Sequence, residues 1–194
     1  MTEPAAPPSD APLSATPSSS APTSPAASSY RVRPARPADV RAIRDLVQPY
    51  ADERILLAKE WVGYYEAVQE FVVAEAEDGT LIGCGALHVM WQDLAEIRTL
   101  AAARAWRGRG VGHALLEALT ERARDLGLRR LFCLTFEVDF FAAHGWGTID
   151  GAAVPPEVYA ELLRSHDDGV AEFLDLARVK PNTLGNTRMI VDLD

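Results

Sequence analysis

The stretch Trp106-Arg107-Gly108-Arg109-Gly110-Val111-Gly112-His113-Ala114-Leu115-Leu116 constrains this chain more than any other, because three glycines and two arginines run straight into an amphipathic helical pattern. Glycine lets a backbone approach a ligand closely and take torsions that other residues avoid. The N–H groups of a helix start point outward with a partial positive field, so such a turn suits an anion, and a phosphate above all. Two common phosphate-binding patterns are excluded by spacing. A Walker loop needs Gly-Lys-Ser/Thr, and the dinucleotide fingerprint needs its own order of glycines.

The rest of the chain limits what that anion can be. With 194 residues, 48% of them apolar, the sequence supports one folded domain with a proper core. A formal charge of −9 argues against a general nucleic-acid or anionic-membrane surface. Any phosphate must therefore meet a local patch of positive charge. Cys84 and Cys133 lie in apolar, strand-like runs without CxxC spacing, which predicts buried, reduced thiols. His88, His113, His144 and His166 are scattered without a ligand pattern, so no metal site is expected. The longest uncharged apolar run, Leu81 to Gln92, is too short to span a bilayer, and the N-terminus shows no basic-then-apolar signal pattern. Cytoplasmic residence is the expectation. All of residues 1–29 except Met1, Glu3, Asp10 and Leu13 are Pro, Ala, Ser or Thr, a composition that predicts a disordered tail ahead of a domain over 30–194.

Within that domain the hydrophobic pattern predicts a strand at Tyr30 to Arg33 and a helix carrying Val40, Ile43, Leu46 and Val47 that ends near Pro49. A second helical stretch follows from about Asp52 through Glu66. Strands at Phe71 to Ala74 and Leu81 to Trp91 flank Asp78-Gly79, a hairpin signal. The strand Leu94 to Ala102 places Leu94, Glu96, Arg98 and Leu100 on one face. After the glycine-rich turn come a helix ending at Gly127 and a buried strand at Leu131 to Phe136. This order makes the strands on either side of the helix parallel. Short helices at Val138 to Ala143 and Pro155 to Leu163, then strands at Phe173 to Val179 and Met189 to Leu193 around Asn182 to Asn186, complete the pattern.

Arg107-x-x-Gly110-x-Gly112 between a strand and a helix resembles the acetyl-coenzyme A loop of the GCN5-related N-acetyltransferases, the GNAT family. Phe140-Phe141-Ala142-Ala143-His144-Gly145-Trp146 resembles that family's aromatic-x-x-x-Gly-aromatic signature, and the similarity covers nearly all of residues 30–193. The resemblance implies the GNAT fold: an α/β (in some schemes α+β) domain with a central mixed, mostly antiparallel sheet of about six to seven strands and helices on both faces. It also implies that Arg107, Gly108, Arg109, Gly110, Val111, Gly112 and His113 hold the coenzyme, with the pyrophosphate on backbone N–H groups. Leu100, Ala101 and Ala102 would hold the pantetheine and the acetyl carbonyl.

Within the family the chain is similar to the acetyltransferase domain of the N-acetylglutamate synthase group. Ile55-Leu56-Leu57-Ala58-Lys59 resembles that group's Ile-Leu-Val-Arg-Arg segment, and Gly83-Cys84-Gly85-Ala86-Leu87 its Cys-Ala-Ala-Leu strand. Leu134-Thr135 with Phe140-Phe141 resembles its Leu-Thr-Thr and Trp-Phe pair, and Glu96 falls where the group has a strand glutamate. The implied reaction moves an acetyl group from acetyl-CoA to the α-amino group of an amino acid, glutamate first, as in the opening step of arginine biosynthesis. The implied partner is a small-molecule amino acid, with no metal, nucleic acid or membrane, and a homodimer is compatible. Alternatives are another amine (glutamine, a polyamine or a protein N-terminus) or a non-catalytic acyl-CoA sensor.

Acetyl transfer needs a neutral amine, a polarised thioester carbonyl and a proton for the departing thiolate. Glu96 is the expected base, with an ion pair to Arg98 as its competing role. The family's usual donor tyrosine is matched by Phe141, which leaves Thr135, Cys133 or a water as the acid, with Thr135 preferred. A dicarboxylate substrate requires cations, for which Lys59, Arg98 and Arg188 are the candidates. Lys59 stands where the synthase group has an arginine, and Ala58 removes that arginine's neighbour.

Overall fold

The computed structural model describes Met1 and residues 29–176 and 185–193. Most of the expected tail, residues 2–28, lies outside the described residues. The domain opens with β1 (Tyr30–Pro34), α1 (Val40–Asp52) and α2 (Trp61–Glu66), followed by β2 (Phe71–Ala76), β3 (Leu81–Trp91) and β4 (Leu94–Ala102). Next come α3 (Val111–Asp125), β5 (Arg130–Thr135) and α4 (Val138–Ala142). It closes with β6 (Gly147–Thr148), α5 (Pro156–Leu162), α6 (Asp168–Phe173) and β7 (Thr187–Asp192). The seven strands form one sheet in the order β1-β2-β3-β4-β5-β7-β6. Only β4 and β5 run parallel, joined by the α3 crossover.

Side-chain alternation divides the strands between two faces. On one, Val72, Ile82, Leu87, Ala95, Ile97 and Leu131 pack beneath Val111, Leu115 and Leu119 of α3. The opposite face is covered by two separate groups of helices. Val40, Ile43 and Val47 of α1 and Tyr64 of α2 cover Val73, Cys84 and Ala86. Val158 and Leu162 of α5, with Val170 and Phe173 of α6, cover Met90, Leu94 and Phe132. Between Ala86 and Met90 on β3 sits His88, and its register partner on β4 is Glu96. The polar residues of these central strands therefore fall in the gap between the two helical groups.

The structure departs from the sequence expectations at four places. The helix does not stop near Pro49 but carries it inside α1 as far as Asp52. The lost backbone hydrogen bond is offset by the next residue, Tyr50, which is buried and donates its hydroxyl to the Ala102 carbonyl at 2.6 Å. Past Asp52 the chain is not helical before Trp61; Arg54 takes a left-handed φ of 59°, and both Ile55 and Leu56 donate to the Tyr50 carbonyl.

Leu100 does not share the face of Glu96. Cys84 pairs with Ala101 but Ala86 with Arg98, so Thr99 and Leu100 together oppose Gly85 in a β-bulge. Thr99 has φ 56°, and the extra residue reverses the alternation beyond it, turning Leu100 to the α3 side and Ala101 to the α1 side. Finally, the strand expected at Phe173 to Val179 is replaced over its described part by the end of α6; the rest of it lies outside the described residues. An Asp167 carboxylate accepting the Val170 N–H at 2.9 Å caps that helix.

Candidate active site

A cleft of about 1260 Å³ runs along the gap, from the glycine-rich turn at one end to Lys59, His88 and Glu172 at the other. Its cause is a divergence of strands. β4 and β5 pair from Leu94/Arg130 to Glu96/Phe132 and then separate, although β4 continues to Ala102 and β5 to Thr135. The bulge at Thr99 adds to the bend. Beyond the fork lies the turn, where Gly108 and Gly110 take φ of 73° and 80°, a region that penalises a Cβ. Gly110 is the N-cap of α3, so the helix start presents its unpaired N–H groups at the end of the cleft. Arg107 closes this end, donating from Nη2 to the Tyr50 hydroxyl at 3.3 Å with its guanidinium 5.5 Å from the ring centre.

Leu100, Ala101, Ala102, Arg107, Gly108, Gly110, Val111, Gly112 and His113 all line the cleft. Arg109 does not; its guanidinium lies over the Trp106 ring at 5.1 Å. His113 at the start of α3 meets His144, Nδ1 to Nε2, at 2.7 Å. His144 Nδ1 is 2.7 Å from the Phe140 carbonyl and must donate to it, so in the neutral pair His144 Nε2 accepts from His113.

The other half of the cleft is built from buried charge. Glu96 is only 4% exposed, and its Oε2 accepts from Arg98 Nε at 2.9 Å and Nη2 at 2.6 Å. The same guanidinium donates from Nη1 to Asp167 Oδ2 at 3.1 Å. Burial works to raise the Asp167 pKa, but the charge and hydrogen bond of Arg98, with the Val170 N–H, prevail and hold it near 2. Glu172, on α6, is 8% exposed and lines the same space. Burial, reinforced by the negative charge of Glu96 and only partly offset by Arg98, pushes its carboxyl up to about 7. The half-buried Lys59 amine is lowered by burial and then by Arg98, against the pull of Asp167 and Glu96. Glu70 Oε1 and His88 Nδ1, 2.8 Å apart, form the remaining wall.

Of the residues named from sequence, Glu96, Arg98, Thr135 and Lys59 converge on the cleft. The ion pair weighed against a base role for Glu96 is present. Thr135 Oγ1 accepts the Glu137 N–H at 2.9 Å and keeps its own hydroxyl proton to donate. Cys133 also lines the cleft, with a thiol pushed well above its ordinary range by burial and by Glu96, so it stays neutral. Phe141 is buried against Trp146, ring centres 5.0 Å apart.

Arg188 is placed elsewhere. Its guanidinium donates to the Gly151 and Glu172 carbonyls at 3.1 Å each and to that of Phe173, and lies 5.1 Å from the Phe132 ring. These carbonyls use the donors that a substrate carboxylate would need, because α6 arrives where a strand was expected. The sequence reading missed Tyr50, Asp167 and Glu172. A capping signal for α6 was present in Asp167-Asp168-Gly169-Val170, an acidic residue three positions before an apolar one.

Residues 40–146 match the model of the acetyltransferase (GNAT) family. The chain belongs to the GNAT family. An amino-acid acetyltransferase of Mycobacterium tuberculosis is 57% identical over 164 residues, which is 84% of this chain and 94% of that protein. A Mycobacterium tuberculosis structure solved in complex with CoA superposes with TM-score 0.82 at 57% identity, covering 84% of this chain and 99% of the other. The N-acetylglutamate synthase of Neisseria gonorrhoeae, solved with coenzyme A and N-acetyl-glutamate, gives TM-score 0.68 at 24% identity. It matches 85% of this chain but only 35% of its own length, and shares the fold. In this GNAT chain the fork between β4 and β5 and the turn into α3 border the same cleft.

Proposed function

We propose that this chain transfers the acetyl group of acetyl-CoA to the α-amino group of an amino acid, with glutamate the first acceptor. One observation carries the reading: a single cleft joins the anion-binding turn at residues 107–113 to a buried site of mixed charge at Lys59, Glu96, Arg98 and Glu172. A zwitterion fits such a site. Its ammonium meets carboxylates and its carboxylate meets Lys59, which has no ion-pair partner among the described residues. The Mycobacterium tuberculosis relative's name, amino-acid acetyltransferase, supports the same acceptor class.

The coenzyme pyrophosphate would sit on the N–H groups of the turn, and the thioester would enter the fork beside Leu100 to Ala102. Glu96, held by Arg98, offers its second oxygen to the substrate ammonium. Once deprotonated, the amine attacks the thioester carbonyl and CoA leaves as a thiolate. Thr135, with a hydroxyl proton to donate, is our choice to hydrogen-bond the departing sulfur. Following the synthase resemblance, we assign the reaction to the opening of arginine biosynthesis in the cytoplasm. No helix among the described residues is long and apolar enough to cross a membrane.

A second acceptor, glutamine, is favoured by one observation. Among the described residues, Glu70 Oε2 and Asn186 Oδ1 are buried acceptors without a hydrogen-bond partner, and both residues line the cleft. Such atoms call for donors, which a side-chain carboxamide supplies and a carboxylate does not. Meanwhile Arg98 is engaged by Glu96 and Asp167. Steady-state CoA release with glutamate, glutamine, a polyamine and a peptide N-terminus separates these readings. Turnover confined to the polyamine or the peptide would overturn the amino-acid assignment, and coenzyme binding with no turnover would favour a sensor.

A further inference from the structure

We infer that Glu172, not Glu96, is the group that removes the proton from the substrate ammonium. The inference rests on the amino-acid acetyltransferase reading and concerns the same cleft. Its first support is hydrogen-bond accounting. Glu96 is committed on Oε2 to two N–H groups of Arg98. Glu172 lines the same space, is 8% exposed, and its carboxylate has no hydrogen-bond or ion-pair partner among the described residues. A buried carboxylate without a partner is costly and is kept where a function requires it.

The second support is how α6 is fixed. At its start Arg98 holds the capping residue Asp167, and the side chain passes Gly169 so closely that a Cβ there would lie 2.6 Å from Arg98 Nη2. At its end Arg188 holds the main-chain carbonyls of Glu172 and Phe173. Two arginines thus pin the helix at both ends, and Glu172 is carried between them. This gives Arg188 a task as a positioning residue, outside the substrate site.

The charged groups acting on Glu172 are Glu96 and Arg98 from β4 and Asp167 and Asp168 at the start of its own helix; Arg188 from β7 touches its carbonyl. Burial and the negative charges of Glu96, Asp168 and Asp167 keep the proton affinity of the carboxylate near neutrality, where a general base works best. Glu172 carboxylate takes one proton from the ammonium and becomes a neutral acid. The amine nitrogen forms its bond to the thioester carbon and the C–S bond breaks. The second nitrogen proton passes to the CoA thiolate, and Glu172 returns its proton to solvent.

The test is the pH profile of kcat for the wild type and Glu172→Gln, with CoA affinity and a thermal melt as controls. In the wild type kcat should rise with pH through about 7. In Glu172→Gln that limb should vanish and the plateau fall roughly a hundredfold or more, with CoA affinity retained and a melt no lower than that of the wild type. A Gln variant that keeps the limb and the wild-type plateau overturns the role of Glu172 alone. A wild type that turns over no amino acid overturns the functional reading and this role with it.

Discussion

Arg98 on β4 and Asp167 at the cap of α6 are 69 positions apart in sequence and joined through Nη1 and Oδ2 at 3.1 Å. The bond ties β4 to the helix that carries Glu172. The same guanidinium neutralises buried Glu96, so one side chain joins carboxylates from β4 and from the cap of α6. Arg98→Ala would strand Glu96 in the interior without its cation. Such a loss costs roughly 3–5 kcal/mol, so the urea midpoint should fall sharply. Arg98→Lys keeps the charge but loses the fork and should be milder. An unchanged midpoint in the Ala variant would show that the pair is not buried as described.

Gly169 leaves room for that guanidinium. An alanine Cβ would lie 2.6 Å from Arg98 Nη2, 2.8 Å from Cζ and 3.1 Å from Asp167 Oδ1. Overpacking of this kind costs about 1–3 kcal/mol and must displace Arg98 from Glu96 or Asp167. Gly169→Ala should therefore lower kcat while the affinity for CoA, proposed to bind at the far end of the cleft, stays as it was. A variant with wild-type kcat would mean that the Arg98 geometry is dispensable.

Lys59 is the proposed anchor for the α-carboxylate. A hydrogen bond to a charged group contributes about 1.5–3 kcal/mol, so Lys59→Gln should raise the KM for the amino acid by roughly tenfold to a hundredfold. The KM for acetyl-CoA should not move. If both rise together, Lys59 supports the fold of the cleft and not the substrate.

Glu172 also makes a prediction about stability. Its folded pKa, about 7, lies above the ordinary value of 4.5 because burial and Glu96 disfavour the charge. Its stability contribution is therefore full below about pH 4.5 and is lost as pH rises through about 7. The loss is on the order of 3 kcal/mol if the shift is fully expressed. Glu172→Gln should melt higher than the wild type above neutrality, and the gap should close toward acid. Equal melting temperatures across the range would show that Glu172 carries no such strain.

The features legible in sequence were those with local causes. The glycine-rich turn, the Asp78-Gly79 hairpin and the strand-helix-strand unit each follow from torsional need or periodicity within a short window. The bulge at Thr99 has no such mark, because a β-branched residue in a strand gives no sign of a left-handed φ, yet it decides which side Leu100 and Ala101 face. Arg188 looked like a free cation until α6 placed the carbonyls of Glu172 and Phe173 against it. Glu172 itself was hidden because its neighbours Phe173, Leu174 and Leu176 resemble a strand. The charged end of the cleft is assembled from residues far apart in sequence, and periodicity does not report such pairings.

The cleft is proposed to join an acetyl-CoA site to an amino-acid site. Its most direct test is to incubate the protein with acetyl-CoA and an equimolar mixture of amino acids and identify the products by mass spectrometry. The account predicts saturable CoA release with N-acetylglutamate or N-acetylglutamine as the main product. CoA release that is independent of the amino acids, or acetylation of none of them, would contradict it.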